Sequence, residues 1–339
     1  MKMKTTLSTL LITCSMAATS AQNNYPTLGK VIRIDPSMDK LISSNARIEV
    51  LSSGYQWTEG PVWIKNGGYL LFSDVPANTI YRWKEGDKSA SSFLKPSGYT
   101  GMGRYSNEPG SNGLIINQNG ELVACEHGDR RITAMPLTSG GKLSLADNFQ
   151  GKRFNSPNDI VQHSSGAYYF TDPPYGLDKH ENDPTRESDI FGVYRIGTDG
   201  KVSVATAELQ RPNGLAFSPD EKTLYIAQSD PNRAIIMAYP VQADGSLGKG
   251  KVFYDATPVV KEGKLKGLPD GLKLDKKGNL FATGPGGILI ISPEAKLLGR
   301  IDINEPTANC AWGDDGSTLY ITANMHLCRI KTLTVGSGF

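Results

Sequence analysis

Six oxygen-bearing side chains recur along this 339-residue chain, each heading the same short pattern. Glu59, Asn112, Asn158, Asn213, Asp270 and Asn309 precede a small or apolar run, a turn containing Gly or Asp, and a second run beginning with Leu or Tyr. From each head to that residue (Leu70, Leu122, Tyr168, Leu224, Leu280, Leu319) the offsets are 11, 10, 10, 11, 10 and 10. Four residues further on stand Asp74, Glu126, Asp172, Gln228, Gly284 and Ala323. Carboxylates crowded together and partly desolvated repel one another unless a positive group sits among them. Hard oxygen donors without Cys or paired His point to a divalent ion, calcium first, with magnesium, manganese and zinc as alternatives. The plainer reading is that Asn and Asp cap turns ahead of strands. It is kept for Asn309, which precedes Cys310, whereas Glu59, Asn158, Asn213 and Asp270 together are read as metal ligands.

Such a gathering requires six elements that converge. Successive heads lie 53, 46, 55, 57 and 39 residues apart, the period of a four-stranded propeller blade. Further strands are legible in TIYRWK from Thr79, RITAMPL from Arg131, GVYRI from Gly192, AIIMAYPV from Ala234 and GILIISP from Gly287. The expected fold is all-β, a six-bladed β-propeller of four-stranded antiparallel blades, and the 37 Gly and 20 Pro suit its many turns. Each first strand then lines a central channel, and the start of the first strand meets the end of the second at one face. The last unit has about three strands before Phe339, and RIEVLSSG from Arg47 is placed to supply the missing outer strand and close the ring. Residues 47–339 are thus read as one propeller domain and 22–46 as a lead-in. Two domains are the alternative, but no linker or helical period separates the units.

The same face must carry the connections, two of which are long: Lys95–Ser111 and Pro173–Asp189. Long loops on one rim of a rigid scaffold commonly shape a binding site. Arg104, Tyr105 and Tyr175 are candidates to contact a polar ligand, against the reading of an inert excursion. His127, next to Glu126, is either a proton shuttle or a hydrogen-bonded structural residue. His163, His180 and His326 have no comparable placement.

Residues 1–21 carry Lys2 and Lys4, an apolar stretch too short to span a bilayer, and small residues ending at Ala21. That is the layout of a secretory signal peptide cleaved before Gln22, with lipidation at Cys14 the weaker alternative. The protein is therefore expected to be exported, to the periplasm. Without Lys2 and Lys4 the formal net charge of +2 falls to zero, and with it any charge-based case for nucleic acid or an anionic membrane. Cys125, Cys310 and Cys328 form neither a disulfide framework nor a zinc motif and are read as buried small residues. No later segment is apolar enough to span a membrane. Oligomeric state is left open.

EGPVW from Glu59, SPNDIV from Ser156, FTDPPYGL from Phe170, RPNGLAFSPDEKTLYIA from Arg211, LPDGL from Leu268 and PTANCAW from Pro306 resemble the gluconolactonase and regucalcin (senescence marker protein) family, its bacterial gluconolactonase branch most of all. The resemblance runs in order from about Ile48 to the C terminus. It implies a six-bladed propeller with a divalent ion, commonly calcium, in the channel. Glu59, Asn213 and Asp270 would be metal ligands, and Asn158 a ligand or a substrate contact. Asp270 would be general base or nucleophile. The activity implied is hydrolysis of a sugar lactone such as glucono-1,5-lactone; Glu126, His127, Asp172, Tyr175, Asn112 and Arg104, read from their positions at the same face, are expected to meet the substrate. The rivals are a phosphotriesterase-type hydrolase using the same ion and a non-catalytic propeller whose calcium is structural; a fold alone decides neither.

Overall fold

The computed structural model describes Met1 and residues 25–138 and 140–339. Apart from Met1, the expected export segment, with Cys14 and the cleavage position, lies outside the described residues.

Six antiparallel sheets stand in a ring, and their strands run outward from the channel in chain order. Blade I holds Thr58–Ile64, Tyr69–Asp74, Thr79–Lys84 and Ser91–Leu94. Blade II holds Ser111–Ile116, Glu121–Glu126, Arg131–Pro136 and Leu143–Ala146. Blade III holds Ile160–Gln162, Tyr168–Asp172, Gly192–Ile196 and Val202–Thr206. Blade IV holds Pro212–Phe217, Thr223–Gln228, Ile235–Pro240 and Lys251–Asp255. Blade V holds Leu272–Leu274, Leu280–Gly284, Gly287–Ile291 and Leu297–Asp302. Blade VI holds Thr307–Gly313, Thr318–Ala323 and His326–Lys331, and its outer strand is Glu49–Ser53 from the other end of the chain. That strand pairs Glu49 with Arg329 and Ser53 with His326, so the ring is closed by the N-terminal strand as expected. The fold is the six-bladed β-propeller that the repeat implied.

Residues ahead of Arg47 join the sheet array. Lys30–Arg33 adds a fifth strand to blade V by pairing with Leu297–Asp302. Met38, Leu41 and Ile42 then bury against Ile288, Ile290, Ile301 and Ile321 between blades V and VI. This is how the core is made throughout: middle strands have a neighbouring blade on each face, so they read as continuous apolar runs rather than alternating ones. Leu70, Phe72 and Trp83 of blade I, none of them exposed, pack on Tyr320 and Leu327 of blade VI. Each such side chain contributes about 1.5–3 kcal/mol on burial. Cys125, Cys310 and Cys328 are buried free thiols in this material.

Two features of the innermost strands prepare the site. Their pairing slips at the heads, between Glu59 and Val62, Ser111 and Leu114, Pro212 and Leu215, and Thr307 and Asn309. An extra residue there twists the strand and re-aims the head side chain. The glycine after a head also faces the next blade. A Cβ at Gly60 (φ +46°) would stand 2.0 Å from the Asn112 carbonyl oxygen, and one at Gly214 2.1 Å from that of Asp270. Small residues therefore let adjacent heads approach. At the far end, the C-terminal residues cross the channel: Gly336 N–H donates to Gly316, Ser337 N–H to Leu274, and Lys65 Nζ lies over the Phe339 ring.

Candidate active site

Five of the six heads, Glu59, Asn112, Asn158, Asn213 and Asp270, line one cavity of about 410 Å³ at the channel mouth. Asn112, Asn158, Asn213 and Asp270 each carry a buried Oδ1 that has no hydrogen-bond donor. In Asn213 the cause is visible. Its Nδ2 donates to Ser229 Oγ (3.0 Å), whose hydroxyl donates to the Pro269 carbonyl (2.5 Å), leaving the amide oxygen without a donor. Glu59 Oε2 accepts from Gly60 N–H (2.9 Å) and from Asn309 Nδ2 (3.3 Å).

Four buried acceptors without donors are costly unless something positive meets them. Burial first, and the mutual repulsion of Glu59, Asp159, Glu108 and Asp270 after it, hold the carboxyl groups of Glu59 and Asp270 above the usual carboxylate range. Each would ionise readily only beside a cation. Among the described residues no group of three or more His, Cys, Asp and Glu is arranged for a metal. The donors here are two carboxylates and amide oxygens, an all-oxygen set that suits a hard divalent ion. Glu59, Asn158, Asn213 and Asp270 thus fit such an ion by donor chemistry, and Asn112 offers a fifth oxygen.

Asn309 belongs to a strand rather than a turn and lies beneath the cavity. Its Nδ2 is shared between Glu59 Oε2 and Asp159 Oδ2 (3.4 Å), so it ties two carboxylates together. Asp159 is itself buried, which raises its carboxyl, and the Lys273 charge acts against that.

Four residues expected to meet substrate do not line the cavity. Glu126 is fully buried and its carboxylate is taken by Lys142 (2.5 Å), Arg131 (2.7 Å) and Thr133 (2.9 Å). Asp172 accepts from the N–H groups of Asn155 and Ser156, both at 2.8 Å, and Asp74 from those of Gln56 and Trp57. Asp74 and Asp172 thus fasten the segment that leads into their own blade's first strand, while Glu126 is held by the third strand of its blade and by Lys142 ahead of the outer one, so none of the three crowds the mouth. Arg104 is exposed at the loop tip and pairs with Asp178 (2.9 Å), which links the two long loops. His127 is wholly buried, and burial lowers its pKa to about 4, so the ring is neutral near pH 7. Its Nδ1 lies 3.2 Å from the Glu108 carbonyl, a contact in which only the ring nitrogen can donate. That favours the structural reading of His127, as a brace for the loop. Tyr175, in contrast, lines the cavity, with its hydroxyl 3.4 Å from the Ser229 carbonyl.

Trp57, Glu108, Arg211, Leu268 and Thr307 also line the cavity and were not singled out in the sequence. A simple signal would have found four of them. Trp57, Arg211, Leu268 and Thr307 each stand two residues before a head, and alternate residues of an extended segment share a face. Glu108 lies on the return limb of the first long loop, close to Asn112; desolvation raises its pKa to about 7.

Residues 57–325 match the SMP-30/Gluconolactonase/LRE-like region. The chain is 41% identical over 333 residues to a gluconolactonase of Zymomonas mobilis, covering 97% of this chain and 93% of that protein. A solved gluconolactonase from Xanthomonas campestris superposes with a TM-score of 0.77 at 29% identity, over 92% of this chain and 99% of that one. The calcium-binding regucalcin of Agrobacterium tumefaciens shares the fold at 20% identity, with a TM-score of 0.66 over 86% of this chain and 94% of that one. With five of the repeated head residues at one channel mouth and a match across most of the propeller, the chain belongs to the SMP-30/gluconolactonase/LRE-like family.

Proposed function

We propose that this chain is a divalent-metal-dependent sugar lactonase that opens aldonolactones such as glucono-1,5-lactone to aldonic acids, and that it acts in the periplasm. Lactone hydrolysis is the reaction class that its similarity to gluconolactonases supports over nearly the whole chain. The observation that carries metal dependence is the set of four buried, unpartnered Oδ1 atoms facing one small cavity beside the Glu59 carboxylate. The export reading rests on the layout of residues 1–21.

Held by Glu59, Asn158, Asn213 and Asp270, a divalent ion would supply Lewis-acid stabilisation of the oxyanion that forms when the lactone carbonyl is attacked. Asp270, whose Oδ1 has no protein donor, accepts the proton of the attacking water. The Asn158 side-chain amide holds the carbonyl by hydrogen bonding. Water adds to the acyl carbon, the bond from that carbon to the ring oxygen breaks, and the ring oxygen leaves as a hydroxyl on an open-chain carboxylate. Glu108 and Tyr175 face the sugar hydroxyls, and Ser229 keeps the Asn213 oxygen turned inward.

The test is a lactone assay on chelator-stripped and calcium-restored protein, run beside an aryl phosphotriester. Loss and recovery of lactone turnover is expected, with little phosphotriester cleavage. Full activity without metal, or in Asp270→Ala, would sink the reading.

A further inference from the structure

We infer that Glu181 sets the substrate class of the cavity by holding Arg211 in a neutral pair, so that uncharged polyhydroxy lactones are accepted and lactones carrying an anionic group are turned away. The inference rests on the lactonase reading above and adds which lactones. Arg211 is the one cation among the described residues that line the cavity, where Glu59, Glu108 and Asp270 contribute three carboxyl groups. Its guanidinium would otherwise be the natural seat for a phosphate, sulfonate or second carboxylate on the substrate. In this chain the seat is taken. Arg211 Nε lies 2.8 Å and Nη2 2.7 Å from Glu181 Oε1.

Glu181 is held to this task by its loop. It sits in the short turn His180–Asn182 of the second long loop, its carbonyl accepts from Arg186, and the same loop supplies Tyr175 to the cavity wall. The Arg104–Asp178 pair ties that loop to the one carrying Glu108. Both partners are about one-third exposed, so the pair adds little to folding; its consequence is the field it cancels. With a divalent ion balancing Glu59 and Asp270, Glu108 remains and the paired Arg211 adds no net charge. An anionic substituent therefore enters a pocket whose described lining offers no uncommitted cation to meet it, a means of selecting against it. A neutral polyol instead finds hydrogen-bonding partners in Glu108 and Tyr175.

The experiment compares wild type, Glu181→Gln and Glu181→Gln/Arg211→Gln in calcium. It reads kcat/KM for glucono-1,5-lactone and its 6-phosphate, and calorimetric affinities for gluconate and 6-phosphogluconate. Wild type is expected to favour the neutral lactone at least tenfold, Glu181→Gln to shift that ratio about tenfold toward the phosphate, and the double variant to abolish the shift. A wild-type ratio near one, or a ratio unmoved by Glu181→Gln, overturns the inference. If neither lactone is hydrolysed yet Glu181→Gln still shifts the calorimetric ratio, the lactonase reading fails while the charge selection stands. Absence of both effects removes both.

Discussion

The two ends of the channel are made by the same inner strands yet have opposite chemistry. At the mouth Glu59, Asn112 and Asn213 open their strands and Asn158 and Asp270 stand two residues ahead of theirs, and four oxygens there have no donor. At the other end they finish in Val62, Trp63, Leu114, Ile116, Ala311 and Trp312 around an apolar cavity of about 500 Å³, closed by Phe339. There the polar groups are paired: Trp312 Nε1 donates to the Leu274 carbonyl (2.9 Å) and Lys65 Nζ to that of Gly338 (2.6 Å). The difference teaches that one end is built for stability and the other draws on it, since buried unpartnered acceptors are maintained only by the rigidity of their surroundings.

That contrast can be broken by substitution. Asp270→Ala at the mouth should lower kcat/KM for glucono-1,5-lactone by about 10³-fold or more, in a continuous proton-release assay, because the proposed mechanism assigns Asp270 both metal binding and proton abstraction. Trp312→Ala at the far end should lose about 3–5 kcal/mol in urea unfolding, through a cavity against Phe281 and loss of the Trp312 Nε1 hydrogen bond to Leu274, while kcat/KM stays within twofold.

Acid should act on the mouth through His127. Its folded pKa of about 4 lies below the unfolded value of 6.5, so the native state binds fewer protons. The contribution is present above about pH 6.5 and lost as pH falls toward 4, up to about 3 kcal/mol. Denaturant titrations across that range should show His127→Gln losing less stability than wild type. Calcium should act there too: at a free concentration a hundredfold above Kd it should add about 2.7 kcal/mol, read as a rise of several degrees in Tm. Asp270→Asn should abolish most of that rise, whereas Trp312→Ala should keep it. The smallest effect is expected at Lys65→Met, which removes a cation–π contact with Phe339 and an exposed hydrogen bond to the Gly338 carbonyl and should cost about 0.5–1 kcal/mol with no change in metal response.

Five heads were legible because a repeat exposes them: a polar residue at a fixed offset from each second strand lands at the same height in every blade. The second-strand residues Asp74, Glu126 and Asp172 had the same regularity and a different fate. Residues four beyond the strand marker reach the correct face, but only the folded blade brings Gln56, Asn155 or Lys142 within hydrogen-bond distance to consume them. Arg104 and Glu108 share one loop, and offset carries no information about which of them turns inward.

The sequence by itself determined the number of blades, the strand that closes the ring and which oxygen-bearing heads gather at the channel mouth, because all three follow from periodicity along the chain. Only the tertiary structure decided which polar groups remain unsatisfied at the mouth, that His127 braces a loop, and that Arg211 is met by Glu181. Those outcomes depend on contacts between residues 19 to 250 positions apart, whose pairing is set by packing in three dimensions rather than by local pattern.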